Sequence, residues 1–420
     1  MKKLAVIVLY LLIGVYPLFA QKTCGSHSYQ QEILANNPSI LQRVSEIEQF
    51  THRNDFISTR TDDNTGLPVE EPVITIPVVV HVLYHFPEEN ISDEIIKEQV
   101  AILNRDFRRQ NSDTVNTPER FLPYAADTKI EFKLATSDSK GVSTDGIIHS
   151  YTPIKKWTMD DKMKFSSEMG DDAWDGGSYL NIWVCNLDNL LGYATFPGTP
   201  ADRDGVVISY KVFGPVSYPA QYSMGRTTVH EVGHWLNLRH IWGDADCGDD
   251  GVDDTPRQRS YTPGCPSGAR VTCDDGPDGD MYMNYMDFTN DPCMNMFTNG
   301  QKYRMRSLFE PGGARNSLVY SKGLNAPLIE RADIPDHSPK WLNIKVYPNP
   351  AASTVTMDFE YDKRWVGHEV RVTDIMGRVM LRQTVSSAIY QLNVSRLKPG
   401  IYFIQSEKDG DKMMQKFIKQ

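Results

Sequence analysis

The chain has 420 residues, which suits two or three domains, and its 40% hydrophobic content is enough to build a sizeable core. The net charge of −10 argues against a nucleic-acid-binding protein, whose surface would be basic. The negative charge is concentrated, because twelve aspartates and only three basic residues lie between positions 244 and 291.

The N-terminus has the pattern of an export signal. Lys2 and Lys3 precede an apolar run over residues 4–19, and the small residue Ala20 stands before Gln21. We predict a signal peptide over residues 1–20; an uncleaved membrane anchor is the alternative. No second apolar run of membrane length follows, so the mature protein is expected to lie outside the cytoplasm, without a transmembrane segment.

Residues 21–59 are polar and too few to build a core of their own. They contain a weak helical stretch over residues 39–50, and we predict a pro-segment that rests on the following domain. Residues 60–325 predict an α/β catalytic domain. Its predicted strands cover 73–84, 130–135, 179–187 and 205–210, with an exposed edge strand at LLGYATF (190–196). Helices are predicted over 92–109, from about Thr227 and over 299–309, and residues 242–290 are expected to be irregular.

The C-terminal part of the chain has a different composition. Residues 326–340 resemble a linker, and residues 341–420 alternate apolar and polar residues in six short segments separated by turns. This pattern predicts a small all-β sandwich. No residues within it are arranged for catalysis, so we expect a sorting or anchoring module.

The chemistry is concentrated in the sequence HEVGHWLNLRH, residues 230–240. On a helix His230 and His234 share one face and can bind one ion, while Glu231 can reach a water molecule beside that ion. Two surface histidines are the alternative for this short motif. His240 weakens that alternative, because it supplies a third ligand once the helix ends and the chain turns back. Asn237 stands where a left-handed residue would end the helix, and three imidazoles with an open fourth position suit catalytic zinc.

The six cysteines fall into two groups. Four of them, Cys247, Cys265, Cys273 and Cys293, lie in the irregular stretch and predict two disulfides in an exported protein, with three connectivities open. Cys185 lies in an apolar run and is most simply a buried thiol. Cys24 stands alone near the mature N-terminus.

The motif and its surroundings resemble a known enzyme family. HExxHxxxxxH followed by Met286 in the turn NYMDF (284–288) is similar to the metzincin clan of zinc peptidases. Within that clan residues 21–325 look like the pappalysin family, of the mirolysin and ulilysin type. The resemblance implies an α/β (α+β) metzincin-like catalytic domain with a mixed sheet and an active-site helix. Two residues depart from the pattern: Asn237 replaces a glycine, and Phe288 replaces a tyrosine thought to support the transition state.

The family resemblance also implies several site residues. The four loop cysteines would pair as Cys247–Cys273 and Cys265–Cys293. Cys24 and Gly25 look like a cysteine switch, in which the thiolate occupies the open zinc position; a leftover thiol is the alternative. Asp291 matches an acid at the base of the pocket that binds the residue after the cleaved bond, favouring Arg over Lys. A surface or calcium-binding aspartate is the alternative for Asp291.

Calcium is implied in the acidic loop after the third histidine. The residues of that loop cluster hard oxygen ligands between glycines; a solvated acidic loop is the alternative. The candidate calcium ligands are Asp246, Asp249, Asp250, Asp253, Asp254 and Thr255.

The C-terminal module resembles the sorting domains of type IX secretion substrates. It carries VYPNP (346–350), DIMGRVM (374–380), LKPGIYF (397–403) and the basic tail KFIKQ (416–420). This resemblance implies contact with the secretion machinery, passage across an outer membrane and later removal of the domain.

These features predict a secreted zinc endopeptidase that is made as a latent zymogen. It is expected to cleave proteins and peptides on the N-terminal side of Arg and sometimes Lys. Thr59–Arg60 and His52–Arg53 are candidate bonds for self-processing. A binding protein or adhesin that has lost activity is one alternative, although His230, Glu231, His234 and His240 are all present. A zinc hydrolase of non-peptide bonds is another, and the edge strand that could pair with an extended peptide argues against it.

Overall fold

A computed structural model describes residues 24–54, 71–216, 220–273, 278–331, 344–359, 363–408 and 411–420. The predicted signal peptide, the Thr59–Arg60 bond and most of the predicted linker lie outside these residues. Within the described ranges no helix is long and apolar enough to cross a membrane. The domain boundaries given above stay predictions.

The described chain begins with two helices, α1 (Ser26–Asn36) and α2 (Pro38–Asn54). The predicted helical stretch is therefore confirmed and is longer than predicted. Only Ser26 and Tyr29 of α1 are buried. Since a helix with so little apolar surface cannot fold alone, α1 depends on its contacts with the rest of the molecule.

A six-stranded mixed sheet forms the centre of the catalytic domain. Its strands are β1 (Ile74–Tyr84), β2 (Ile130–Leu134), β3 (Ile147–Tyr151), β4 (Leu180–Cys185), β5 (Gly192–Ala194) and β6 (Val206–Ser209). The strand order is β2-β1-β4-β6-β5, with β3 also paired to β1. All pairs are parallel except β5 with β6, which is antiparallel.

Strand β1 lies in the middle of the sheet, where its almost entirely apolar sequence can be buried on both faces. Its first half pairs with β2 and its second half with β3 on one side, and β4 pairs with it on the other. From Ile76 to Tyr84 every residue is buried, as expected for a β-branched strand covered on both faces.

Two hydrophobic layers cover the sheet. One face packs against α3 (Asp93–Phe107) and α4 (Arg226–Trp235), the helix of the HExxH motif. The other face carries Trp183, Cys185, Tyr193 and Val207 in a smaller cluster that also contains Tyr29 of α1. The buried thiol predicted at Cys185 is confirmed. Helix α5 (Asn299–Ser307) contacts α2.

The stretch between α4 and α5 has no strand and no α-helix among its described residues, as predicted. Disulfides join Cys247 to Cys273 and Cys265 to Cys293 within it. These are the two pairs that the family resemblance implies, and they close loops in a region with little regular structure.

The C-terminal region folds into a four-stranded and a three-stranded antiparallel sheet that share one hydrophobic core. The small all-β sandwich predicted from the sequence is therefore confirmed. Its strands are β7 (Lys345–Tyr347), β8 (Thr354–Asp358), β9 (Glu369–Asp374), β10 (Val379–Thr384), β11 (Ile389–Asn393), β12 (Gly400–Lys408) and β13 (Asp411–Lys419).

Three details differ from the sequence prediction. Strands β3 and β11 were not predicted, because each has only five residues and two of the five are polar. Helix α3 ends at Phe107 rather than Arg109, since Arg109 has a positive φ of 52°. Strand β5 is an edge strand but is fully buried, because residues 24–26 lie along its outer side.

Candidate metal centre

Three histidines converge at the end of α4. Helical spacing places His230 and His234 on one face, with their Nε2 atoms 3.1 Å apart. The helix then ends, and Asn237 adopts the left-handed conformation with φ of 72°, as the sequence predicts. The returning chain brings the Nε2 atom of His240 to 3.1 Å from that of His234.

Hydrogen bonds at the opposite ring nitrogens fix the tautomers of these histidines. The Nδ1 atom of His230 lies 2.7 Å from the carbonyl oxygen of Tyr285, and that of His234 lies 2.8 Å from the carbonyl oxygen of Leu238. A carbonyl oxygen can only accept, so each Nδ1 carries the proton and each Nε2 keeps a lone pair.

Asp244 plays the same part for His240, whose Nδ1 atom lies 2.5 Å from its Oδ1 atom. Burial alone would raise the pKa of Asp244, but the hydrogen bond from His240 holds that pKa below the usual range. The carboxylate therefore stays ionised and orients the third imidazole.

This donor set fits zinc. Tetrahedral coordination at about 2.0–2.1 Å would separate two nitrogen ligands by roughly 3.3 Å, close to the 3.1 Å spacings found here. The Sγ atom of Cys24 completes the group, since it and one nitrogen of each histidine all lie within 4.8 Å of one another. Among the described residues no other group of three or more His, Cys, Asp or Glu side chains comes together in this way.

The segment that begins at Cys24 also contacts the residues beside the histidines. The hydroxyl of Ser26 donates to Glu231 Oε2 at 2.7 Å and accepts from the backbone amide of Ala194 at 2.8 Å. Cys24 Sγ lies 3.4 Å from the same Glu231 oxygen. Burial, followed by the charge of Glu231, raises the pKa of the Cys24 thiol well above its usual range. A cation held by the three histidines would counter this effect and favour the thiolate.

Two glycines allow close packing around Glu231 and α4. A Cβ atom on Gly192 would stand 2.9 Å from the Val207 carbonyl oxygen and 3.0 Å from Glu231 Cγ. A Cβ atom on Gly233 would stand 2.5 Å from Met286 Sδ. Met286 is fully buried against the helix, in the turn where the sequence places it.

Phe288, which replaces the expected tyrosine, lies against the metal centre. Its ring centroid is 5.5 Å from that of His230 and 4.8 Å from that of His240. Tyr285 does not supply the missing hydroxyl, because its side chain is fully buried, its hydroxyl interacts with Asp106 and its ring packs against Phe297. The structure thus gives this face of the site an aromatic ring without a hydroxyl.

A second group of contacts joins α1 and α2 to the turn that carries His240. The carboxylate of Glu48, in α2, accepts from Arg304 at 2.6 and 2.8 Å and from Asn237 Nδ2 at 3.0 Å. Arg304 also donates to the carbonyl oxygen of Asn237. Closer to the metal centre, His27 Nδ1 lies 3.0 Å from Asp244.

Asp291 lies beside the start of α4 and is fully buried, so it is not the surface aspartate considered as an alternative. Its Oδ2 atom accepts from the backbone amides of Met224 at 2.9 Å and Arg226 at 3.2 Å. The carboxylate therefore sits at the positive end of the active-site helix.

The candidate calcium ligands are only partly gathered. Asp249, Asp250, Asp253 and Thr255 line one cavity, and burial raises the pKa of Asp250 to about 7. Asp254 instead accepts from the amide of Gly300. Asp246 is largely exposed and pairs with Arg259.

Several residues of the site were not predicted from the sequence: Ser26, His27, Glu48 and Asp244. Only Asp244 left a local signal, because an acid four residues after a predicted ligand is a natural outer partner for that ligand. The other three lie in α1 and α2, far along the chain from their partners.

Two family models match the chain. Residues 164–310 match the family described as pregnancy-associated plasma protein-A, and residues 345–420 match the secretion system C-terminal sorting domain. An extracellular metalloprotease of Verticillium alfalfae is 31% identical over 59% of this chain and 80% of its own length. One from Neurospora crassa is 30% identical over 60% of this chain and 81% of its own length.

Solved structures of mirolysin and of its precursor also match the chain. Mature mirolysin of Tannerella forsythia with a cleaved peptide is 50% identical, with a TM-score of 0.58 over 59% of this chain and 96% of its own. A mutant of promirolysin from the same organism is 45% identical, with a TM-score of 0.65 over 73% of this chain and all of its own.

Proposed function

Because the chain belongs to the pregnancy-associated plasma protein-A (pappalysin) family of metallopeptidases, we propose that Glu231 is the general base of a zinc-dependent cleavage before Arg and Lys. The protein itself is a secreted metalloendopeptidase with a type IX secretion sorting domain.

The observation that carries the catalytic proposal is the convergence of three Nε2 lone pairs beside a buried carboxylate. His230, His234 and His240 would hold the ion, and their Nδ1 hydrogen bonds keep the rings oriented. Zinc bound there supplies a Lewis acid and a lowered pKa for water. Buried, neutral imidazoles are the donors that zinc prefers.

Glu231 is adjacent to the first ligand and fully buried. In the mature enzyme its Oε2 atom would take the proton of the attacking water and pass it to the leaving amine. The Ser26 hydroxyl donates a hydrogen bond to that same oxygen. The carboxylate is therefore already placed to accept a hydrogen bond from an O–H group in the cleft.

We propose Asp291 as the acid that favours a basic residue after the cleaved bond. Its burial beside α4 supports this role, since a carboxylate shielded from water forms a strong charge-assisted pair with a guanidinium. Its hydrogen bonds to two backbone amides would hold it in position. The same hydrogen bonds give it a second, structural role at the start of the helix.

Latency is proposed to come from residues 24–26. Cys24 would supply a fourth, thiolate ligand, while Ser26 blocks Glu231 and joins the free edge of β5. The fourth zinc position, Glu231 and the free edge of β5 would then all be occupied by residues 24–26. Of the two candidate activation bonds, His52–Arg53 is exposed but lies within α2, so it must unwind before cleavage. The Thr59–Arg60 bond lies outside the described residues.

Calcium is proposed for the cavity lined by Asp249, Asp250, Asp253 and Thr255. The raised pKa of Asp250 means that burial penalises its charged form when no cation is near. A bound Ca²⁺ would relieve that penalty and join these oxygen ligands. Asp246 and Asp254 would have to move to take part.

The matched sorting domain implies contact with the secretion machinery and places the enzyme at the cell surface or beyond it. Removal of residues 341–420 after export is part of the proposal. Nothing in this module contributes to the metal centre among the described residues.

Zinc dependence is tested with the purified mature enzyme and a protein substrate. Cleavage should stop when a zinc chelator is added and return when Zn²⁺ is restored, whereas Ca²⁺ alone should not restore it. Cleavage that continues after zinc has been stripped to below stoichiometric traces would contradict the proposal.

A further inference from the structure

A pocket on the face of the sheet opposite α3 and α4 holds the side chain of Tyr29, from the proposed pro-segment. Tyr29 is 4% exposed and its ring lies 5.1 Å from that of Tyr193, in β5. Its hydroxyl donates to Asp161 Oδ2 at 2.5 Å. Apart from Ser26, it is the only buried residue of α1, so this pocket is a main anchor of the helix.

The floor of the pocket is a buried ion pair of the catalytic domain. The Nζ atom of Lys164, which is fully buried, lies 2.8 Å from Asp161 Oδ1. Tyr193 donates its hydroxyl to the same carboxylate oxygen at 3.0 Å. Asp161 is thus held firmly by its Oδ1 side, while its Oδ2 side faces the hydroxyl of Tyr29.

The pocket is electrostatically matched to an aromatic ring. The ammonium of Lys164 lies 5.4 Å from the ring centroid of Tyr29, 5.4 Å from that of Trp183 and 5.0 Å from that of Tyr193. A cation at these distances attracts the faces of aromatic rings, most strongly where water is excluded. When Tyr29 leaves with the pro-segment, the cation and the other two rings stay with the catalytic domain.

We propose that this pocket becomes a substrate subsite of the mature enzyme and binds a tyrosine side chain on the N-terminal side of the cleaved bond. Removal of Tyr29 takes away the phenol that donates to Asp161 Oδ2, and a substrate phenol can replace it. A basic side chain fits less well, because Lys164 already neutralises the carboxylate and Arg203 lies 4.0 Å from it. This inference rests on the proposed peptidase function.

The direction of the pro-segment indicates which side of the bond is involved. Cys24 pairs in parallel with Gly192, and Ser26 follows along β5 at Ala194. In the proposed complex the substrate pairs antiparallel with β5 and runs the opposite way, so the positions from Ser26 onward receive residues that precede the bond. Tyr29 lies in the first turn of α1 and packs on Tyr193, which stands between Gly192 and Ala194 in β5, so its pocket is assigned to the second or third residue before the bond.

A peptide series on the wild-type mature enzyme tests the subsite. The peptides share one sequence with Arg after the bond and carry Tyr, Phe, Ala or Lys at the second or third residue before it. Tyr should exceed Phe by about tenfold in kcat/KM, since one hydrogen bond to a charged group distinguishes them, and Phe should exceed Ala. Equal rates for all four side chains at both positions would overturn the subsite. Failure to cleave any peptide or added protein would instead overturn the peptidase function.

Replacement of Asp161 by asparagine assigns the preference to this pocket. In Asp161→Asn the Tyr-to-Phe ratio should fall toward one, with zinc content and melting temperature recorded to show that the enzyme is folded. An unchanged ratio would overturn the assignment.

If that variant does not fold, Tyr29→Phe in the intact precursor tests the same hydrogen bond. The amides of α1 should then exchange with solvent about tenfold faster than in the wild-type precursor. Unchanged exchange would show that the pocket does not require the hydroxyl.

Discussion

Replacing Glu48 with alanine should loosen the proposed pro-segment without removing a metal ligand. The Glu48 carboxylate is 19% exposed and accepts two hydrogen bonds from Arg304, a residue whose side chain is 1% exposed. It also binds Asn237, the residue at which the chain turns between His234 and His240. The variant leaves a buried guanidinium without this carboxylate.

The structure sets the size of the effect. Breaking a fully buried ion pair by removing one partner costs about 3–5 kcal/mol. Since Glu48 keeps some contact with solvent, we expect roughly 2–3 kcal/mol, which corresponds to about a 30- to 150-fold increase in the open population of the pro-segment. Glu46→Ala is the matched control, because Glu46 lies on the same helix, is exposed and hydrogen-bonds only within it to Gln42.

Hydrogen exchange of the α2 amides measures this population directly. Both variants are made in a Glu231→Ala background so that no precursor processes itself. Exchange in α2 should rise about 30- to 150-fold for Glu48→Ala and little for Glu46→Ala. Equal exchange in the two variants would refute the claim that the Glu48–Arg304 pair holds the pro-segment in place.

The contact between Glu48 and Arg304 should also make the docking of α2 dependent on pH. Burial opposes the charge of Glu48, but Arg304 holds its pKa below the ordinary value. A lowered pKa in the docked state means that the stabilisation is complete above the ordinary pKa and is lost as the pH falls through the lowered one. Acid should therefore speed α2 exchange in the precursor, and Glu48→Gln should remove that part of the acid effect.

Three further predictions concern latency, calcium and specificity. Cys24→Ala should give a precursor that activates itself sooner than wild type in a time course of processing, since the fourth ligand is lost; unchanged latency would point to shielding by residues 25–60. Calcium removal should lower the melting temperature and speed cleavage of the 244–291 loop, because burial penalises the charge of Asp250; a melting temperature indifferent to both calcium and chelator would leave a solvated loop. Asp291→Ala should reduce the preference for Arg after the bond at least tenfold in a peptide library, and an untouched preference would assign the pocket acid elsewhere.

The elements that could be predicted from the sequence are those whose signals are local. The β-branched run of β1 is apolar over two buried faces and suits no exposed position. The ligand set followed from helical spacing plus the left-handed turn at Asn237, which is also local. Strand β3 could not be recognised, because it is stabilised by pairing with the second half of β1 and its own sequence carries His149 and Ser150.

The contacts that α1 and α2 make with the rest of the chain could not be predicted from the sequence. Ser26 lies 205 residues from Glu231, and Glu48 lies 256 residues from Arg304. Neither belongs to a periodic pattern, and a serine or a glutamate on a polar helix predicts an exposed position. Only the three-dimensional arrangement shows that the expected exposed edge strand is covered and that Tyr29 fills a pocket beside it.

Glu231 is proposed to act as the base of a zinc centre whose ligands are independent of it. The variant Glu231→Ala tests this role, with zinc content, melting temperature and cleavage of one protein substrate measured on the same preparation. We expect one zinc ion per chain, a folded protein and no cleavage above the rate without enzyme, because the ligands stay while the proton acceptor is gone. Appreciable turnover by this folded, zinc-loaded variant would show that Glu231 is not the base.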